Sequence, residues 1–234
     1  MEGTTLETAW LGTVEYEQAL KLQDAMVAAR GAALIRDTLL LLEHPHVYTL
    51  GRGASERYLV APPPGVPIHR VSRGGQVTYH GPGQVVGYPI LKLEGAECDV
   101  HAYLRALESV IIETLRIYGI DAHRRERLTG VWVGERKIAS IGVGIRRWIT
   151  LHGFALNVSS DLRYFERIVP CGIEGCRMTS LADEGRCGAA VTDVAAALTH
   201  SFAAVFGYES IAPVNGMELT CEPSPNTHLW QRLS

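Results

Sequence analysis

The chain has 234 residues, 47% of them apolar and 20% charged, with a formal net charge of −3; this is the make-up of a soluble globular protein with room for one large domain and a real core. The slightly negative balance gives no reason to expect nucleic acid as a partner. No apolar run reaches the length of a membrane span, and the opening MEGTTLETAWLG lacks both the basic start and the apolar stretch of an export signal.

In chain order, Glu15 to Arg30 predicts an amphipathic helix, with Tyr16, Ala19, Leu20, Met26 and Val27 near helical spacing and Thr13 as its cap. TLLLLEH, Thr38 to His44, predicts a short strand buried on both faces, and His46 to Arg52 a second strand ending at glycine. APPPGVP, Ala61 to Pro67, predicts a surface loop. Gln76 to Tyr79 and Val85 to Leu91 predict strands on either side of a glycine-rich turn. Val100 to Tyr118 predicts a strong helix, with Val100, Tyr103, Leu104, Leu107, Val110, Ile111 and Leu115 along one side and Gly119 as its stop. Val131 to Val158 is β-rich, broken at Gly134 to Arg136 and again near Arg146 and Arg147. A last helix is predicted from Thr192 to Phe206, capped by Thr192 and stopped by Gly207. The tail from Glu222 predicts loose structure. No repeat or interdomain linker is visible, and the irregular alternation of strands and helices argues for a mixed α+β sheet.

Four segments could carry chemistry. RGGQVTYHGPGQVVGYP, Arg73 to Pro89, places five glycines around one histidine, His80. It fits neither a Walker loop nor the dinucleotide fingerprint, and Pro82 removes a backbone donor. An uncharged guest pressed against the backbone suits it better than a phosphate; a strained hairpin with His80 capping its own turn is the plain alternative. ERKIASIGV puts Lys137 at the start of a strand, on a face with Ala139 and Ile141 by simple alternation. Such a lysine either snorkels out or sits in a cleft, where it could exchange protons near neutrality. HGFALNV places His152 and Asn157 in a strand, where a polar group needs a partner or a ligand. In IVPCGIEGCRMTSL, Cys171 lies in a Pro-Cys-Gly turn whose following amide could approach whatever the thiol attacks; a lone cysteine is more often a small buried hydrophobe. Cys171, Cys176 and Cys187 have spacings that match no standard zinc knuckle, so no metal is expected. Together with Cys98 and Cys221 they make five cysteines, which cannot all pair within one chain. With no export signal, this points to a reducing cytoplasm.

Taken in order, LLLEHPHVYTLGR, RGGQVTYHGPGQVVGYPI, KIASIGV, LHGFALNV and PCGIEGCRMTSL resemble the lipoyl(octanoyl) transferases over the span Leu40 to Leu181. The resemblance implies an α+β domain with a mixed β-sheet flanked by helices, similar to the catalytic domains of biotin and lipoate protein ligases. It implies one catalytic domain over residues 1–234, with a core at about 10–210 and a tail at about 211–234. The implied reaction moves an octanoyl group from octanoyl-acyl carrier protein to a lysine of a lipoyl domain, as in 2-oxoacid dehydrogenase complexes and the glycine cleavage H protein. The family's thioester-forming cysteine falls on Cys171 and its lysine partner on Lys137. The acyl-binding stretches fall on Arg73, Gly74, Gly75, Gln76, Val77, Thr78, Tyr79 and His80, on Ser140, Ile141 and Gly142, and on Gly153, Phe154 and Ala155, with His152 and Asn157 as auxiliaries. On this reading the loop's glycines leave room for the acyl tail and His80 faces the reacting centre. No cofactor is expected, because the donor thioester is already activated, and the protein is expected to act as a monomer. An ATP-dependent lipoate or biotin ligase on the same fold is the alternative; it would need no cysteine nucleophile. A non-catalytic acyl-binding module is another. For docking of an acidic carrier protein, His123 to Arg127 and Arg146-Arg147 are the candidate basic surfaces.

Overall fold

A computed structural model describes residues 4–215. Among them one helix lies on one face of a large mixed sheet, two lie on the other, and a smaller sheet sits beside it. The large sheet begins with β1 (Thr5–Thr13), which the helix α1 (Tyr16–Gly31) links to its parallel neighbour β2 (Thr38–Glu43). The strands β3 (Val47–Leu50), β4 (Ile68–Arg70) and β5 (Val77–His80) form the small sheet in the order β4-β3-β5. The chain then returns to the large sheet as β6 (Gln84–Ile90), antiparallel to β2, and crosses it as α2 (Val100–Ile117). An antiparallel meander follows: β7 (His123–Arg125), β8 (Leu128–Val133), β9 (Arg136–Arg146) and β10 (Ile149–Asn157). After two short 3-10 turns come β11 (Arg177–Met178), α3 (Val191–Phe206) and β12 (Ser210–Pro213). The sheet order is β12-β1-β2-β6-β10-β9-β8-β7, with β11 paired to β9. This is the mixed α+β sheet the sequence predicts.

Strand alternation divides the core in two. Leu39, Leu41, Val85, Phe154 and Leu156 face α2 and α3, where Leu107, Val110, Ile111, Leu198 and Phe202 meet them. Leu40, Leu42, Val86, Tyr88 and Ala155 face α1, against Ala19, Leu22, Met26 and Val27. This explains why TLLLLE is an unbroken apolar run: both of its faces are buried. A third cluster, built on Tyr48, Leu50, Val77, Tyr79, Phe165 and Ile168, fills the small sheet and carries the chain toward Cys171.

The predicted helices stand, with corrections at their caps. Thr13 ends β1, and α1 starts after Glu15 with no side-chain cap. Thr192 lies inside α3, whose cap position is Ala190, again without a side-chain bond. The cap that does form is Asp99 on α2, accepting from the backbone N–H of His101 and Ala102. Gly119 and Gly207 end their helices with φ of 67° and 75°. The strands β1 and β12 had no sequence signal; Ile211 to Pro213, assigned to the tail, pair with β1 at the sheet edge. The remainder of the predicted tail from residue 216, with Cys221, lies outside the described residues. Among the described residues no helix is long and apolar enough to cross a membrane.

Candidate active site

Two pieces of local structure bring Cys171 and Lys137 together. Cys171 sits in the 3-10 turn Pro170–Gly172 with φ 57° and ψ 14°, a left-handed conformation that side-chain-bearing residues seldom adopt. Downstream, β11 pairs with β9 in the register Met178 opposite Lys137, and the Thr179 N–H donates to the Lys137 carbonyl (2.9 Å). The cysteine turn is thereby tied to the lysine's own strand. Lys137 itself is fully buried, not snorkelling. Its Nζ donates to the Thr129 carbonyl at 2.8 Å and to Cys171 Sγ at 3.1 Å, and lies 5.5 Å from the centre of the Trp132 ring.

Simple alternation along β9 fails at this point. The register between β8 and β9 shifts, with Val131 opposite Ala139 but Trp132 opposite Lys137, so Lys137, Ile138 and Ala139 are all buried. A bulge of this kind re-aims one side chain without moving the rest of the sheet. Gly130 makes space for the result. A Cβ there would run into the Lys137 side chain and the Ala139 carbonyl, and its φ is 125°. Gly130→Ala is expected to displace Lys137 from Cys171 and slow Cys171 alkylation at neutral pH about tenfold or more, with the helical circular dichroism retained. Unchanged alkylation would show that the lysine does not depend on this gap.

Burial pushes the half-buried Cys171 thiol up, but the charge and hydrogen bond of Lys137, then the charge of Arg73 and the nearby Ser140 hydroxyl, outweigh it. The net result is a thiol held below its ordinary value. Beside it is a cavity of about 40 Å³, well below the roughly 150 Å³ of a cavity that admits benzene. Most of the residues expected at an acyl site line it: Arg73, Gly75, Gln76, Val77, Thr78 and His80 from the glycine loop and β5, Ser140 to Gly142 from β9, and His152 to Ala155 from β10.

Three expected residues do other work. Tyr79 packs in the small sheet, bonded to His46 at 2.7 Å and stacked on Tyr164. Gly74 docks its N–H on the Val143 carbonyl (2.8 Å). Asn157 joins a hydrogen-bond chain behind the cavity. Its Nδ2 donates to the Thr179 carbonyl (2.9 Å), its Oδ1 accepts from Gln84 Nε2 (2.9 Å), and Gln84 Oε1 then accepts from His80 Nδ1 (2.8 Å). This order fixes His80 with its proton on Nδ1 and a lone pair on Nε2. Tyr16, Val86 and Tyr88 also line the cavity and were not foreseen, because each reads locally as an ordinary core residue of its helix or strand.

The glycines of the segment Arg73 to Pro89 need a different account from the one the sequence suggests. A Cβ on Gly81 would strike Tyr79, one on Gly83 the backbone of Ser159 and Ser160, and one on Gly87 the Phe154 ring. These three let the protein pack on itself, while Gly75 alone of the loop's five lines the cavity. On the suggested basic surfaces, Arg124 pairs with Glu108, Arg125 with Glu135, Arg127 with Glu126 and Arg146 with Asp24, and each of these arginines keeps a third or more of its side chain exposed.

Three histidines around the site are buried and held neutral. Burial lowers His44 from 6.5 to about 4. Burial, with the charge of His44 next, lowers His80 to about 3. Burial and then the charge of Arg73 lower His152 to about 4. The unfolded chain therefore takes up these protons first as pH falls. Their contribution to stability is complete above about pH 6.5 and is lost progressively as pH falls, down to about 4 for His44 and His152 and about 3 for His80. Urea unfolding at a series of pH values should show stability falling by up to about 1.4 kcal/mol per unit for each histidine in that window. A flat profile from pH 6.5 to about 4 would contradict the buried neutral state.

Comparison with known proteins agrees with this architecture. The family model described as lipoyl protein ligase A/B catalytic domain matches residues 15–203. An octanoyltransferase of Solibacter usitatus is 52% identical over 206 residues, covering 86% of this chain and 93% of the relative. One from Gloeobacter violaceus is 48% identical over 199 residues, covering 85% and 89%. Among solved structures, a bipartite lipoate protein ligase from Thermoplasma acidophilum superposes with a TM-score of 0.66 at 19% identity, covering 94% of this chain and 91% of the other. A mixed sheet with this strand order, a model match over most of the described residues and relatives at about half identity along nearly their whole length lead to one conclusion: the chain belongs to the lipoyl protein ligase A/B catalytic domain family, among its octanoyltransferases.

Proposed function

We propose that this enzyme takes the octanoyl group from octanoyl-acyl carrier protein onto Cys171 as a thioester and passes it to a lysine amine of a lipoyl domain, with Lys137 handling the protons. The observation that carries the proposal is the 3.1 Å contact between Lys137 Nζ and Cys171 Sγ beside the cavity. In the first half-reaction Sγ attacks the donor thioester, and the carrier's thiol leaves. In the second, the amine nitrogen bonds to the acyl carbon, its proton passes to Lys137, and the C–S electron pair returns to Sγ. Val77, Val86, Ile141, Phe154 and Ala155 give the slot apolar walls. At about 40 Å³ the slot is too small for an acyl chain, since a cavity that takes a benzene ring is about 150 Å³; the walls part as the chain enters. The donor thioester supplies the activation that an ATP-dependent ligase draws from ATP. The chain would act as a single cytoplasmic domain and a monomer, on lipoyl domains of 2-oxoacid dehydrogenase complexes and on the glycine cleavage H protein.

Intact mass after incubation with octanoyl carrier protein and no ATP should show one octanoyl adduct, removed by hydroxylamine and mapped to Cys171. An adduct on Cys176 or Cys187, or none without ATP, would overturn this reading.

A further inference from the structure

Arg73 presents an unusual electrostatic arrangement. It is 7% exposed, yet among the described residues no carboxylate pairs with it. All four of its hydrogen bonds go to neutral oxygens. Nη1 donates to the carbonyls of Gly74 and Gln76 (2.9 Å each), and Nη2 to the Thr49 carbonyl (2.7 Å) and Thr49 Oγ1 (2.8 Å). Its Nε is buried without a partner. The side chain lines the same cavity as Cys171.

One of these acceptors, Thr49 Oγ1, opens a directed chain. Thr49 Oγ1 accepts from Arg73, which leaves its own proton for His80 Nε2 at 3.5 Å. His80 Nδ1 donates to Gln84, Gln84 to Asn157, and Asn157 to the Thr179 carbonyl. Each group in this chain turns its negative end toward the guanidinium. Dipoles can solvate a buried cation in this way, but they carry no net charge. A carboxylate would cancel the field of Arg73; this arrangement stabilises the cation and leaves its full positive charge acting on the cavity.

We propose that Arg73 is the permanent positive charge of the site, acting on Cys171 Sγ throughout the cycle, including the stage at which Lys137 is neutral. The need for such a charge follows from the two half-reactions. Lys137 can accept the amine's proton only after giving up its own, and a lysine without that proton offers no charge to the sulfur. Guanidinium does not exchange its proton at working pH, so its charge remains fixed while that of lysine alternates. Arg73 is thus a positioning residue working through the thiolate, and the electrostatic coupling between the two groups runs in both directions. The role deepens the transfer reading, since it rests on Cys171 being the nucleophile.

The test needs no octanoyl substrate. Iodoacetamide labelling of Cys171, followed by peptide mass from about pH 5 to 10, gives the midpoint of thiolate formation. In Arg73→Gln that midpoint should rise by about one pH unit or more, the usual effect of losing a nearby opposite charge. Arg73→Lys, which keeps the charge but loses the fork, should stay within about half a unit of the parent. A folded Arg73→Gln protein with the parental midpoint would overturn the proposal, as would equal upward shifts in both variants, which would mark a collapsed loop. Should Arg73→Gln fail to fold, the unaltered protein still decides the question: the ¹⁵Nε resonance of Arg73 should titrate with the Cys171 thiol and lose that inflection in Cys171→Ala. A resonance that ignores the thiol would refute the role. Absence of an octanoyl adduct, by contrast, would remove the transfer reading and leave this coupling standing.

Discussion

Cys171→Ser should lose octanoyl transfer by about 10⁴-fold or more, in the range that removal of a covalent nucleophile costs. The substituted side chain keeps the size and the local backbone of the original, and the position is only half-buried, so stability should stay within about 0.5 kcal/mol of the parent. What changes is chemistry. The thiol is held below its ordinary value by Lys137, Arg73 and Ser140 working against burial. A serine hydroxyl in the same place is far from ionising, and its ester would be a poorer acyl donor to an amine. Lys137 would keep its bond to the Thr129 carbonyl and its place near the Trp132 ring, so the lysine need not move. The measurement is steady-state transfer together with intact mass. Turnover close to the parent, or an adduct that forms elsewhere, would remove Cys171 from the mechanism.

Lys137→Arg separates the two tasks assigned to the lysine. For any thiol, each unit by which positive charge lowers the pKa raises the thiolate fraction by up to tenfold. The same unit reduces intrinsic nucleophilicity about threefold at a Brønsted slope near 0.45. Charge alone is therefore a modest accelerator, and in the proposed mechanism the larger task is proton acceptance from the incoming amine. Arginine keeps the charge but cannot accept that proton. Single-turnover experiments can load Cys171 first and add the lipoyl domain second. Transfer should fall by at least about 10²-fold, the low end of general-base effects, and by more than loading does. The site is tight, with Lys137 fully buried and Gly130 directly beneath its side chain. Equal losses in both halves would therefore indicate displaced geometry and leave proton acceptance unsupported. Near-parental transfer would refute it.

What the sequence disclosed depended on how local the cause was. The helices α1, α2 and α3 and the strands β2, β3, β5, β6, β8, β9 and β10 were legible because apolar spacing matched a period and the driving force is burial along a single element; the short, largely exposed β4 and β7 carry no such pattern. β1 and β12 were not. Their positions are fixed by parallel pairing between residues about 200 apart, such as Thr5 with Ser210, and no local pattern records it. The same distinction holds at the site. The Pro-Cys-Gly turn and Lys137 were visible as segments, but strand alternation could not foresee the bulge that re-aims the lysine. Tyr16 reaches the cavity from the first turn of α1, and Val86 and Tyr88 from β6, where they read as ordinary core residues. The glycines misled for a related reason. Glycine reports a close approach without saying to what, and at Gly83 and Gly87 the approaching group is the protein itself.

The left-handed backbone at Cys171 has a consequence for protein engineering. That conformation costs a side-chain-bearing residue roughly 1–2 kcal/mol and costs glycine almost nothing. On the proposed mechanism, position 171 is one where folding and turnover favour different residues, with φ of 57° favouring glycine and the thioester step requiring sulfur. A library screened for heat resistance alone would drift toward glycine there and return robust proteins with no enzyme in them. Any campaign to harden this fold has to score acyl transfer in the same round, or hold residue 171 fixed and seek its gains far from the turn.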